Sequence, residues 1–297
     1  LVKYGLLNLY KPSGPTSRDC VDRVGKCLGQ SKIAHAGTLD PLAQGVLLIL
    51  VGPAVRLMDE AHLLDKEYVA SFQLGQRSPS TDLETECESV PLPVDVDIDA
   101  IRNRLPQFTG RIEQVPSAYS AIWVDGKRSH QVARQGKPLQ LPSRSVTIHE
   151  LELLALDLPE MRLRIRCSTG TYIRTLGSDL AKSLGSDAVM TSLMRTRVGP
   201  FEATSAVALD ALADPIPDNL LRPAIDALTG WESWTVDDPL LRRILDGQRL
   251  SAEKVPNRQG ERLAVLDTRE ILRAILKRLP DGTWRCDKGI AHWDVFP

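Results

Sequence analysis

The sequence predicts an α+β protein: a mixed, largely antiparallel sheet flanked by helices, with a small β-rich domain towards the C-terminal end. Three observations carry that expectation. Lys66 to Leu74 and Met161 to Ser168 alternate apolar and polar residues, the period of a half-buried strand. Residues 17–28 and 171–184 repeat apolar positions at helical spacing. Beyond Thr229-Gly230-Trp231 the chain turns to short runs broken by Pro256-Asn257-Arg258-Gln259-Gly260 and Leu279-Pro280-Asp281-Gly282. Helices and alternating strands in this mixture argue against a doubly wound parallel sheet.

Taken in order, Leu6 to Tyr10 reads as a strand stopped by Pro12-Ser13-Gly14-Pro15. Ser17 is expected to cap a helix running to about Leu28, with Val21, Val24 and Leu28 on its apolar face and Gly29 beyond it. A segment rich in Gly and Pro follows, from Ser31 to Gly45, and leads into the apolar strand Val46 to Val51. A helix is expected around Ala54 to Leu64. On the strand from Lys66, residues Tyr68, Ala70, Phe72 and Leu74 share a face. Ile98 to Phe108 reads as a helix that Pro106 stops early. In Met161 to Ser168, Met161, Leu163, Ile165 and Cys167 turn inward, while Arg162, Arg164, Arg166 and Ser168 turn outward. Thr171 to Leu184 forms a helix burying Ile173, Leu176, Leu180 and Leu184.

A chain of 297 residues can bury a substantial core in one large domain or two. The longest apolar run, Pro41 to Val55, is too short and too interrupted to span a bilayer, which needs about 20 residues. No basic-then-apolar leader opens the chain, so a cytoplasmic location without membrane attachment is expected. Five scattered cysteines without CxxC spacing read as buried thiols and not as a disulfide framework or zinc site. The net charge of −1 hides a division. Residues 82–100 hold seven acids and no base, whereas Arg102 to Arg174 hold twelve Lys or Arg against six acids. Arg102, Arg104, Arg111, Lys127, Arg128, Arg134, Lys137, Arg144, Arg162, Arg164 and Arg166 could together build a surface for phosphates.

The most telling segment is Ser31-Lys32-Ile33-Ala34-His35-Ala36-Gly37-Thr38-Leu39-Asp40-Pro41-Leu42-Ala43-Gln44-Gly45. It places one carboxylate, Asp40, on a tight loop at the mouth of a buried strand. The run resembles the GHxGTLDPxAxG signature of the pseudouridine synthases, the TruB type in particular. Further stretches agree in order. Lys11-Pro12-Ser13-Gly14-Pro15-Thr16-Ser17 is similar to the KPxGxTS opening, and Lys66-Glu67-Tyr68 with Leu74-Gly75 to KxY followed by LG. Gln114-Val115-Pro116-Ser117-Ala118-Tyr119-Ser120-Ala121 resembles QxPPxYSA, Gly170-Thr171-Tyr172-Ile173-Arg174 the GTYIR motif, and Arg195 to Phe201 RTRVGPF. The chain departs from the pattern at Ala34, Ala36, Ser117, Val189, Met194, Ser78-Pro79 and Leu83-Glu84-Thr85.

The resemblance implies a catalytic domain over residues 1–229, with an RNA-binding insertion near 116–145, and a PUA-like domain over 230–297. It implies isomerisation of uridine 55 in the T-loop of tRNA, the target base being flipped out, with neither metal nor cofactor and with the tRNA T-arm as the partner. No obligatory protein partner is implied. By the same resemblance Asp40 is the catalytic carboxylate, whether it attacks C1′ or C6 or promotes elimination. Arg174 is its cationic partner, and Tyr68 stacks on the uracil and handles a proton. His35, Tyr172, Leu193 and Lys11 are expected in substrate binding, His35 by helping to displace the base. Two rival readings use the same residues: a silent RNA-binding module, and an Asp-dependent hydrolase of small glycosides. Asp40, Tyr68 and Arg174 together argue against the first, and the absence of a second carboxylate motif against the second.

Overall fold

The computed structural model describes residues 3–92, 96–119, 123–124, 126–129, 132, 141–256 and 260–290. The expected insertion at 116–145 lies in good part outside these residues, as do Arg134 and Lys137. The described residues group into two compact units, one drawn from Leu1–Pro41, Gly45–Leu64 and Val198–Pro297, the other from Leu42–Gln44 and Asp65–Arg197.

The first unit is built on β1 (Gly5–Lys11), β2 (Ile33–His35) and β3 (Gln44–Val51). Seven consecutive pairs, Gly5 opposite Val51 through Lys11 opposite Gly45, join β1 to β3 in antiparallel register. Strict alternation puts Leu7, Leu9, Leu47, Ile49 and Val51 on one face, where Cys20, Val21, Val24 and Cys27 of α1 (Ser17–Leu28) cover them. Leu6, Val46, Leu48 and Leu50 point the other way and share a core with Ala224, Leu228, Ala264, Leu272 and Ile275. Helix α1 has the expected extent, but Thr16 caps it and not Ser17. Thr16 Oγ1 accepts the Asp19 N–H while the Asp19 carboxylate accepts the Thr16 N–H, a reciprocal capping box. Gly29 closes the helix at φ +62°, in the left-handed region. The helix expected at Ala54 to Leu64 is split into a 3₁₀ segment, Gly52–Leu57, and α2 (Met58–Leu63). Pro53 at its start presets the first turn, and the chain tightens before the α-helix begins.

The second unit places β4 (Lys66–Leu74) between β7 (Glu160–Cys167) and β8 (Ala188–Val198), and continues from β7 through β6 (Arg144–Asp157) to β5 (Gly110–Gln114). Burial along β7 alternates as expected, with Met161, Leu163, Ile165 and Cys167 inside. Of the outward arginines, Arg164 pairs with Glu152 at 2.8 Å and Arg166 approaches Glu150 at 3.6 Å, so β6 partly neutralises that stripe. The helix expected over Ile98 to Phe108 is α3 (Ile98–Arg102) followed by a 3₁₀ turn, Leu105–Phe108. The break comes before Pro106, which has no N–H to give the Arg102 carbonyl, so the α-helical ladder cannot continue through it. Helix α4 (Ile173–Ser183) buries Ile173, Leu176 and Leu180, whereas Leu184 is its half-buried C-cap.

The C-terminal region is β-rich, as expected. A four-stranded sheet orders β9 (Ser233–Thr235), β10 (Arg262–Leu266), β11 (Leu272–Arg278) and β12 (Trp284–Gly289), around Val236, Leu241, Ile244, Leu263, Val265, Leu276 and Trp284. Only β9 and β10 run parallel within it.

Candidate active site

Asp40 lies in the eight-residue excursion between β2 and β3. The ends of that excursion are fixed by antiparallel pairing of Ile33 with Val51 and His35 with Ile49, and by the Ala36 N–H on the Leu48 carbonyl at 2.8 Å. Gly37 and Gly45, at φ +96° and +106°, give the loop its sharp entry and exit, which residues with a Cβ resist. The two neighbours of Asp40 are both tied down from a distance. Ser17, the first residue of α1, donates its hydroxyl to the Leu39 carbonyl at 3.0 Å and accepts the Leu39 N–H at 2.9 Å. The Pro41 carbonyl accepts the Gly14 N–H at 2.8 Å and the Lys11 ammonium at 3.2 Å. Lys11 is fully buried and also donates to the Pro12 carbonyl at 3.0 Å. The KPxGxTS-like opening therefore acts as a bracket for the loop: Lys11, Gly14 and Ser17 each hold it. Leu39 anchors the segment in the core, while Asp40 and His35 are half-buried.

In the second unit Tyr68 stands on β4 opposite Ile165 of β7 and is half-buried. Arg174, in the first turn of α4, is 5% exposed. Its Nη1 donates to Asp82 Oδ2 at 2.7 Å and to the Ser80 carbonyl at 3.2 Å, and its Nη2 to the Tyr119 carbonyl at 2.9 Å. Asp82, 1% exposed, is itself fixed, its Oδ1 accepting the Glu84 N–H and its carbonyl the Ser78 hydroxyl. Thr81, at φ +59°, turns the loop so that Asp82 points inward. Sequence reasoning missed Asp82, which it counted among the seven acids of residues 82–100. The available signal was the cluster Ser78-Pro79-Ser80-Thr81 directly before it. Gln114 opens the QxPPxYSA-like run. Its buried side-chain amide accepts the Tyr172 N–H at 3.0 Å and donates to the Tyr172 carbonyl at 3.2 Å, fixing the start of α4. Leu193 is buried on β8.

Two titratable groups near Tyr68 are shifted. Burial, helped by the neighbouring Arg195 cation, lowers Lys66 to about 8. Burial pushes the Cys167 thiol, paired opposite Lys66, up to about 11. Among the described residues no cluster of three or more His, Cys, Asp or Glu side chains is placed to hold a metal ion, and no helix is long and apolar enough to cross a membrane.

Comparison with known proteins places the chain as a whole. Residues 25–173 match the family described as TruB family pseudouridylate synthase, N-terminal domain, and residues 174–229 the tRNA pseudouridylate synthase B C-terminal domain. The chain is 40% identical to tRNA pseudouridine synthase B of Burkholderia lata, over 90% of this chain and 85% of that protein. To the protein of the same name from Dehalococcoides mccartyi it is 35% identical, over 94% of each chain. A solved structure titled a Cbf5–Nop10–Gar1 complex superposes with a TM-score of 0.74 at 25% identity, covering 99% of this chain and 87% of that one. With family models covering residues 25–229 and relatives that run nearly end to end with it, the chain belongs to the TruB family of pseudouridylate synthases, which are isomerases.

Proposed function

We propose that this isomerase converts uridine 55 in the T-loop of tRNA to pseudouridine, with Asp40 as the catalytic carboxylate and the target base flipped out of its stack. The observation that supports it best is the double bracket on Asp40. Both residues flanking the acid are held, Leu39 by Ser17 and Pro41 by Gly14 and Lys11, so the carboxylate needs little reorganisation to meet the sugar or base. In the reaction the C1′–N1 bond breaks and a C1′–C5 bond forms; C5 loses its proton and N1 gains one. Arg174, its guanidinium oriented by Asp82, is the cation we assign to Asp40, favouring the ionised acid. Tyr68 packs on the uracil ring and relays the C5 proton to water, its hydroxyl passing on one proton as it takes the other, while Tyr172 and Leu193 enclose the base and His35 helps displace it.

Lys11 acts on the loop, consistent with its burial, and not on phosphate. The tRNA T-arm is the partner, through the cationic residues between Arg102 and Arg174, in the cytoplasm. A PUA-like region begins near residue 229 and packs its sheet into the core of the catalytic part. The test is tritium release: a T-arm stem–loop labelled at C5 of its uridines should lose label to water on incubation with the purified protein. Bound RNA that keeps all its label would favour the silent RNA-binding module.

A further inference from the structure

The edge of the first sheet carries a cavity that the reaction just described does not use. The two-residue strand Val207–Ala208 runs parallel to β1, with Tyr10 opposite Ala208, and the chain then turns, the Ala211 N–H closing on the Ala208 carbonyl at 3.1 Å. Because this pairing stops at Ala208, the edge of β1 opens beside Pro12. The space is a cavity of about 430 Å³ lined by Tyr10, Pro12, Arg23, Ala208, Leu209 and Asp210.

Its lining is specific in kind. An aromatic ring, a proline and two aliphatic side chains form the walls, with one cation and one carboxylate at exposed positions. A free anion would be repelled by Asp210, and a neutral apolar ligand would leave both charges without use. A nucleotide satisfies all of them: a ring to pack on Tyr10, an amino group to donate to a carboxylate, and a phosphate for a guanidinium. Its volume is that of a small-ligand site. The cavity also touches the bracket of the Asp40 loop, since the Pro12 carbonyl accepts the same Lys11 ammonium that holds Pro41.

We propose that this cavity is a second nucleotide site, which takes one unstacked, amino-bearing nucleotide of the substrate RNA away from the isomerised uridine. The base packs on Tyr10 and Pro12 and donates to Asp210, and the phosphate meets Arg23. The proposal rests on the reading of the chain as a protein that binds tRNA through the T-arm. Its test is equilibrium filter binding of full-length tRNA and of the isolated T-arm across a range of salt, for the wild type, Asp210→Ala and Arg23→Gln. Both side chains are exposed, so neither change should disturb folding.

Removing an acid from a surface that meets RNA ordinarily tightens binding or leaves it unchanged. Here Asp210→Ala should weaken it about tenfold, as expected when a base loses its hydrogen-bond partner. Arg23→Gln should reduce the slope of log affinity against log salt by about one. Weakening with full-length tRNA alone puts the nucleotide outside the T-arm, and weakening with both puts it inside; either supports the site. Unchanged or tighter binding by Asp210→Ala, or an unaltered salt slope for Arg23→Gln, overturns it. A cavity that takes only free mononucleotides would give those same unaltered results. A wild type that binds tRNA but releases no tritium would overturn the catalytic reading and leave this one standing.

Discussion

The groups that hold the residues flanking Asp40 lie more than twenty positions away in sequence, in the opening motif, and this is why a loop can present an acid so firmly. Two further residues make the chemistry of the second unit testable. Burial beside Arg195 holds Lys66 near 8, while in the unfolded chain it titrates at its ordinary 10.5. Between those values the unfolded state carries the extra proton, so stability rises as pH climbs from about 8 to 10.5. Lys66→Met, which abolishes the buried charge, should therefore be more stable than the wild type below pH 8, by about 2–3 kcal/mol, and lose that advantage by pH 10.5. Comparing the two proteins removes most of the opposite drift from Cys167, because burial is the main cause of that shift and the Lys66 charge a smaller one. Urea midpoints that stay a constant distance apart over this range would contradict the account. Asp82→Asn removes the anion from a pair whose side chains are 6% and 1% exposed. It leaves the Arg174 charge buried, and should cost about 3 kcal/mol of stability and most of the turnover. A loss below about 1 kcal/mol with normal turnover would show that Asp82 does not orient Arg174.

At the scale of elements, α4 lies so close to β4 that it has no room for a side chain at Gly177. A Cβ there would sit 2.0 Å from Phe72 Cε1 and 2.2 Å from Cδ1. Gly177→Ala, though it favours helix by propensity, should destabilise by about 1–3 kcal/mol as Phe72 is forced from its place. A stabilised variant on thermal unfolding would refute this packing. The strands and helices were legible where one face is buried: the alternation in β4 and β7 and the helical spacing in α1 and α4 come directly from the residues that fill the core. What was not legible depended on partners distant in sequence. Thr16 and Ser17 can both cap a helix; Asp19 three residues on favours Thr16, but that Ser17 instead holds Leu39 is set by the fold. Asp82 stood in a run of acids that differ only in what the fold brings to them. The pairing of Arg164 with Glu152 is set by strand register, which composition does not carry.

Across the whole chain, the C-terminal sheet is more than an appendage, because Ala264, Leu272, Ile275 and Ile290 enter the same core as Leu6, Leu48 and Leu50 of the first sheet. Buried Glu60 adds a polar tie, accepting from Arg262 and Lys288 at 2.9 Å each. Truncation after Thr229 strips that core and leaves Glu60 without both cations. The shortened chain should lose cooperative unfolding or become insoluble, and a shortened chain with the full protein's melting temperature would contradict the shared core. The account as a whole depends on one carboxylate. The direct measurement compares Asp40→Asn with the wild type for T-arm affinity and for tritium release from C5-labelled uridine, since the substitution removes the charge and keeps the shape. Retained affinity with release at the level of the uncatalysed control is the expected result. Release at the wild-type rate would contradict it.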